Sequence, residues 1–260
     1  KRVDWAVEQD EFIQAVGLTN GTSTNPPLLS AAFNVLAVGV TDGQHGKSTT
    51  SIDSTYVAGR TRPNLVAPFS ATSGATPIIA AAAALLVEQG NYTPSLSTDP
   101  LESSTTNRAG ATVYNAGRSE VIKAVLMAGA DRVTDNSANP DPDTPKDITD
   151  YRVDPANRSA NGLDIRYGAG QLNIYNSYHI LAAGEQNSIE DNIGGGGSIG
   201  PFGFDYDPSF GGAGNGGGSN ATGSYYFSTG ANPEMLTAAL AWNVHVAEGS
   251  RNAFPGVATL

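Results

Sequence analysis

The sequence predicts an α/β protein: a parallel sheet flanked by helices, followed by a Gly-rich linker and a small β-rich segment. Three observations carry this. Short apolar runs at residues 12–18, 34–40 and 64–66, separated by loops, read as buried parallel strands. A long Ala/Leu/Ile/Val stretch reaching Glu88 fits only a buried helix. Beyond residue 184 the chain turns Gly-rich and then strand-like.

Composition sets the bounds. The 260 residues suffice for one large domain or about one and a half, with a real core. At 39% hydrophobic and 15% charged the chain is globular in character. A net charge of −11 with a pI near 4.5 argues against nucleic acid or an anionic membrane surface as partner. With no cysteine, disulfides contribute nothing and the redox compartment is not legible. The longest apolar run, 77–87, is too short to span a bilayer, and no signal peptide is visible. The chain opens on Lys1-Arg2 without an initiator Met and reads as a piece of something longer.

In chain order, residues 3–8 give a helical fragment. The strand at 12–18 ends at the turn residues Thr19-Asn20-Gly21-Thr22, and the next strand, NVLAVGV, occupies 34–40. The loop Gly43-Gln44-His45-Gly46-Lys47-Ser48 fails as a phosphate loop, because position 41 is Thr where that pattern needs Gly. It reads as a solvated loop. The run at 64–66 breaks at Ala67-Pro68, and a helix begins at Ser73 with Pro77 in its first turn. Gln89-Gly90-Asn91 is expected to end that helix, and 93–117 reads as a polar surface insertion. Residues 119–129 have helical spacing with Ser119 as N-cap.

A second insertion spans about 131–166, and its part up to Asp154 is a loop of Asp and Pro. Asp141, Asp143 and Asp147 there are a candidate Ca²⁺ set, weighed against a solvated acidic loop, which Pro142 and Pro145 favour. Residues 174–183 read as a closing helix, giving one domain over 1–184. A Gly-rich linker, 185–223, follows, in which Phe202, Phe204, Tyr206 and Phe210 are placed to dock. The strand-like 224–228 and 235–246 open a further β-rich segment, 224–260, too short to close a sandwich.

Ser73 is the candidate nucleophile. Backbone N–H groups at a helix start lack helical partners and favour negative charge. A serine there can attack a carbonyl while its own N–H holds the oxyanion that results.

These residues resemble a family. Ala71-Thr72-Ser73-Gly74-Ala75-Thr76-Pro77 is similar to the subtilisin-type serine peptidase signature Gly-Thr-Ser-x-Ala-Thr-Pro, with Ala71 for the first Gly. Leu65-Val66-Ala67-Pro68 resembles its Asp-Leu-Val-Ala-Pro lead-in, with Asn64 for the Asp. Residues 34–40 resemble Asn-Val-Ile-x-Val-Gly-Ala, and 168–173 resemble Gly-x-Gly-x-Val-Asn. The helix at 119–129 resembles the one that packs after the nucleophile helix. The likeness covers about 12–183, with its motifs in family order.

The resemblance implies a subtilisin-like sheet with Ser73 as nucleophile and Asn20 as the side-chain oxyanion donor. Gly17, Leu18 and Thr19 replace the family's Ala-Ala-Gly and would line an altered substrate pocket. On its own an Asn-Gly is a plain turn; its place before a strand and upstream of Ser73 favours the donor role.

A serine also needs a base, and the base an orienting carboxylate. In the family order both precede the oxyanion Asn, so both are expected upstream of Lys1. His45 falls in the wrong place in that order, His179 in the closing helix and His245 in a late strand. The expected function is a serine endopeptidase acting on extended polypeptide through an acyl-enzyme. It would work with the upstream half of its own domain, without metal ligands or a certain cofactor, and its composition suits a secreted or cell-surface protein. The alternatives are an inactive scaffold used for binding, and an esterase pairing Ser73 with His245, which lacks a Gly-x-Ser-x-Gly elbow.

Overall fold

The computed structural model describes residues 1–21, 29–46, 61–100, 102–134, 148, 155–159, 161–186, 188–190, 198–208, 210, 221–230 and 235–246. Asp141, Asp143 and Asp147 lie outside them. The described chain is an α/β mix containing a three-stranded parallel sheet and four α-helices. It divides into two compact units.

One unit comprises Ile13–Ala84 and Leu126–Asn176. Its sheet has the order β1 (Ala15–Gly17), β2 (Leu36–Val40), β3 (Leu65–Ala67), all parallel. Val16 pairs with Ala37, and Gly39 with Val66. Every residue of β2 and β3 is buried, which is why both read as unbroken apolar runs rather than alternating ones. At the head of β3, Asn64 extends the ladder with its side chain, Oδ1 accepting the Ala37 N–H at 2.8 Å. Beyond β3, Leu172 N–H donates to Val66 and Val66 N–H to Gly170, so residues 170–172 cover that edge. Gly168 (φ 64°) and Gly170 (φ 124°) are required there. A Cβ at either would lie 2.4 Å or less from a backbone oxygen.

Helix α2 (Thr72–Tyr92) begins one residue before Ser73, so Pro77 falls in its second turn rather than its first. The reason is that Ala71 caps the helix, its carbonyl accepting from Gly74 and Ala75. Helix α2 also runs through Gly90 to Tyr92 instead of ending at the expected turn. Gly90 serves packing: a Cβ would lie 2.7 Å from the Ala116 carbonyl carbon and oxygen.

The other unit comprises Lys1–Phe12, Leu85–Val125 and Ser177–Leu260. It holds α1 (Arg2–Asp10), the antiparallel hairpin β4 (Ser104–Thr106) and β5 (Thr112–Tyr114), and most of α3 (Ser119–Ala128) and α4 (Ile174–Ala182). A two-residue ladder joins β6 (Ile189–Glu190) to β7 (Gly223–Ser224). Within the Gly-rich region Phe204 is buried and Tyr206 lies 4.1 Å beneath the Arg118 guanidinium, while Phe202 and Phe210 are exposed. Residues 235–246, expected as a strand, join no ladder among the described residues and form only an isolated bridge at His245. Their exposed face carries Leu236, Leu240 and Trp242.

Ser119 is the first residue of α3 and not its N-cap. The cap comes from Glu11, whose Oε2 accepts the Ser119 N–H at 3.1 Å, placing a carboxylate where the helix dipole favours one. Glu11 holds a left-handed backbone (φ 52°, ψ 44°) to do so, and Arg118 pairs with it at 3.1 Å. Burial, with the Glu11 carboxylate beside it, pushes the Glu120 carboxyl from its ordinary 4.5 up to about 8. A cavity of about 310 Å³ lies alongside, bordered by Arg118, Glu120, Tyr206 and Asn243.

Two predictions follow from this packing. Gly90→Ala should lower stability, because overpacking against rigid backbone costs about 1–3 kcal/mol while the helix gains only about 1 kcal/mol; urea unfolding measures the difference. Glu120 is held above its unfolded value, so the stability it gives is full below about 4.5 and lost as pH rises to about 8. Glu120→Gln should flatten the fall in urea midpoint across that window, and an unchanged slope would exclude this origin.

Candidate active site

The site is built where β1 runs out and α2 begins. Gly17 ends β1 against the first turns of α2: a Cβ there would meet Thr76 Oγ1 at 2.8 Å and Thr72 Oγ1 at 3.3 Å. Leu18 is buried, its N–H donating to Val38, and Thr19 is half-buried. Asn20 then turns out to the surface.

Thr72 joins this loop to the helix. Its backbone N–H donates to Asn20 Oδ1 at 2.8 Å, and its hydroxyl lies 2.6 Å from the Leu18 carbonyl and 2.9 Å from Asn20 Oδ1. The hydroxyl has one proton, and the shorter contact, to a carbonyl that can only accept, takes it. An amide N–H can only donate, so it must face oxygen and not nitrogen. The Thr72 N–H therefore fixes which end of the Asn20 amide points inward. The NH₂ end is left outward, and among the described residues it has no partner.

Ser73 follows directly. It is the second residue of α2 and exposed. Among the described residues neither its hydroxyl nor its N–H is hydrogen-bonded. Two donors, Asn20 Nδ2 and Ser73 N–H, are thus uncommitted among the described residues at the positive end of a helix. That arrangement suits an oxyanion. Ala71 is absorbed without strain, since Glu11 is the one non-glycine residue with positive φ among those described.

Sequence reasoning missed two neighbours. The Phe69 ring covers Gly74 so closely that a Cβ would lie 2.0 Å from it, leaving a half-exposed aromatic near Ser73. The glycine directly after Ser73 was the available signal. The other is His45, taken for part of a solvated loop but fully buried. Its Nδ1 accepts the Val40 N–H at 3.0 Å and its Nε2–H donates to the Arg166 carbonyl at 2.8 Å. Neither nitrogen is left to take a proton from serine. Of the other histidines, His179 is exposed on α4 with its ring edge-on to Tyr178, and His245 pairs with Glu8.

Among the described residues no group of three or more His, Cys, Asp or Glu is placed to hold a metal ion, and no helix is long and apolar enough to cross a membrane. No known protein-family model matches the chain, nor does any curated protein.

The Thr72 hydroxyl gives a direct test. Thr72→Val keeps the volume but leaves the Leu18 carbonyl without its donor, which should cost about 1–3 kcal/mol in denaturant unfolding. Thr72→Ser, which keeps the hydroxyl, should lose much less, and a loss as large as that of Thr72→Val would show that the hydroxyl bond does not account for the effect.

Proposed function

We propose that this chain carries the nucleophile and oxyanion half of a subtilisin-like serine endopeptidase. The observation that carries the reading is the Asn20 amide, turned NH₂-outward by the Thr72 N–H next to an unencumbered Ser73 at a helix start. The order of the signature motifs in the sequence supports it as well.

In this reading an extended polypeptide presents its scissile carbonyl to Ser73 Oγ. A base supplied from sequence upstream of Lys1, oriented by a carboxylate from the same segment, takes the hydroxyl proton as the Oγ–C bond forms. Asn20 Nδ2 and the Ser73 N–H receive the negative charge that develops on the carbonyl oxygen. The amine leaves with that proton, and water then hydrolyses the ester to free Ser73. Gly17, Leu18 and Thr19 border the pocket beside the reacting carbonyl. Export to the cell surface or beyond fits such an enzyme. Thr72 positions Asn20 and needs no contact with substrate.

Fluorophosphonate labelling of the complete protein, with the adduct located by mass spectrometry, should place it on Ser73. Ser73→Ala should abolish turnover. Asn20→Ala should lower kcat about 10²–10³-fold, the general size of this effect as measured in subtilisin itself, with little change in KM. An unlabelled Ser73 in the folded complete protein would favour the inert scaffold. Undiminished hydrolysis by Ser73→Ala would remove the assignment.

A further inference from the structure

We infer that His45 is a positioning residue for the Asn20 amide, a role that rests on the peptidase reading. The loop carrying Asn20 is bound along one side by residues 44–46. Gly21 N–H donates to Gln44 at 2.9 Å, Gly46 N–H donates to Thr19 at 2.8 Å, and Asn20 and His45 form the bridge between. These bonds hold Asn20 only as firmly as residues 44–46 are themselves held. Asp42 Oδ1 accepts the Gln44 N–H at 2.8 Å on the solvent side, and within the segment Gln44 is exposed and Gly46 has no side chain, so His45 supplies its buried side-chain anchor.

The anchor is specific. Its two ring bonds reach different parts of the fold, the end of β2 at Val40 and the backbone of Arg166. Accepting at Nδ1 while donating from Nε2 requires the neutral imidazole in one tautomer. The ring also lies on β2 at Gly39, where a Cβ would come within 2.6 Å of Cε1. Arg166 closes the arrangement by donating from its guanidinium to the Gly43 carbonyl. Asn20 is therefore held from two directions, by Thr72 across the helix start and by the His45 segment along the loop. An oxyanion donor acts only where it is preorganised, and displacement by about 1 Å can cost on the order of 10²-fold in rate. Histidine at this place thus serves the transition state without touching it.

The test is a double-mutant cycle in the complete protein, with kcat and KM measured on a peptide substrate. His45→Ala should lower kcat about tenfold or more with KM changed less than about twofold, because ground-state contacts are spared. In an Asn20→Ala background the same substitution should add less than about a twofold loss, since the group it positions is gone. Should His45→Ala fail to fold, His45→Asn retains an acceptor near Nδ1 and should keep more of kcat than His45→Leu, which fills space without either bond. Multiplicative losses in the cycle, or a KM effect alone, would overturn the positioning role while leaving the peptidase reading intact. A folded wild type that neither cleaves peptide nor labels at Ser73 would overturn both.

Discussion

Everything around the candidate site depends on one donor that cannot accept. The first N–H of α2, on Thr72, has no partner within the helix and must find an acceptor outside it. It finds Asn20 Oδ1 at 2.8 Å. Satisfying an ordinary helix-end requirement thus also sets the orientation of an exposed amide. Had the amide turned the other way, two donors would face each other and the Thr72 N–H would lose its bond. The next residue, Ser73, inherits the same helix-end deficit, and among the described residues no protein group satisfies it. A hydrogen-bond shortfall intrinsic to any helix leaves, here, two neighbouring donors without a protein partner among the described residues.

That arrangement depends on close approach of backbone elements, and glycine permits it. Gly17 lets the end of β1 lie against the first turns of α2, and Gly39 lets β2 take the His45 ring. The site is therefore formed by the end of β1 and one helix start, with the buried β2 paired to β1. The loops contribute the chemistry and the sheet fixes their starting points.

Strands β2 and β3 were legible because every residue in them is buried, and continuous apolar runs survive as signals in sequence. The helix that follows β3 was legible for a similar reason, as one long apolar stretch. What stayed hidden depended on contacts between residues distant in the chain. Gly90 reads as a helix stop by local rules, yet the approach of Ala116 decides its role. Ser119 reads as a cap until Glu11, more than a hundred residues away, takes the task. Residues 235–246 read as strand-like, alternating at their end, but such a pattern says nothing of whether a neighbour is present to pair. His45 was obscured by polar and glycine neighbours that suggest solvent, and only the fold shows that this loop turns inward.

The positions at which the sequence departs from the subtilisin-type motifs it resembles can be judged individually. Asn64 stands where the family has Asp, but the use made of it is one acceptor oxygen for the Ala37 N–H, which an amide supplies as well as a carboxylate. Ala71 stands for Gly at a position whose φ is not positive and whose working part is its carbonyl. Gly17-Leu18-Thr19 changes side chains along the loop while its backbone still reaches Val38, Thr72 and Gly46. Each departure falls where the structure uses backbone or a single acceptor, and none removes a donor from the candidate oxyanion site. These three departures therefore carry no argument for an inert scaffold. The discrimination between enzyme and scaffold rests instead on whether a base reaches Ser73 Oγ.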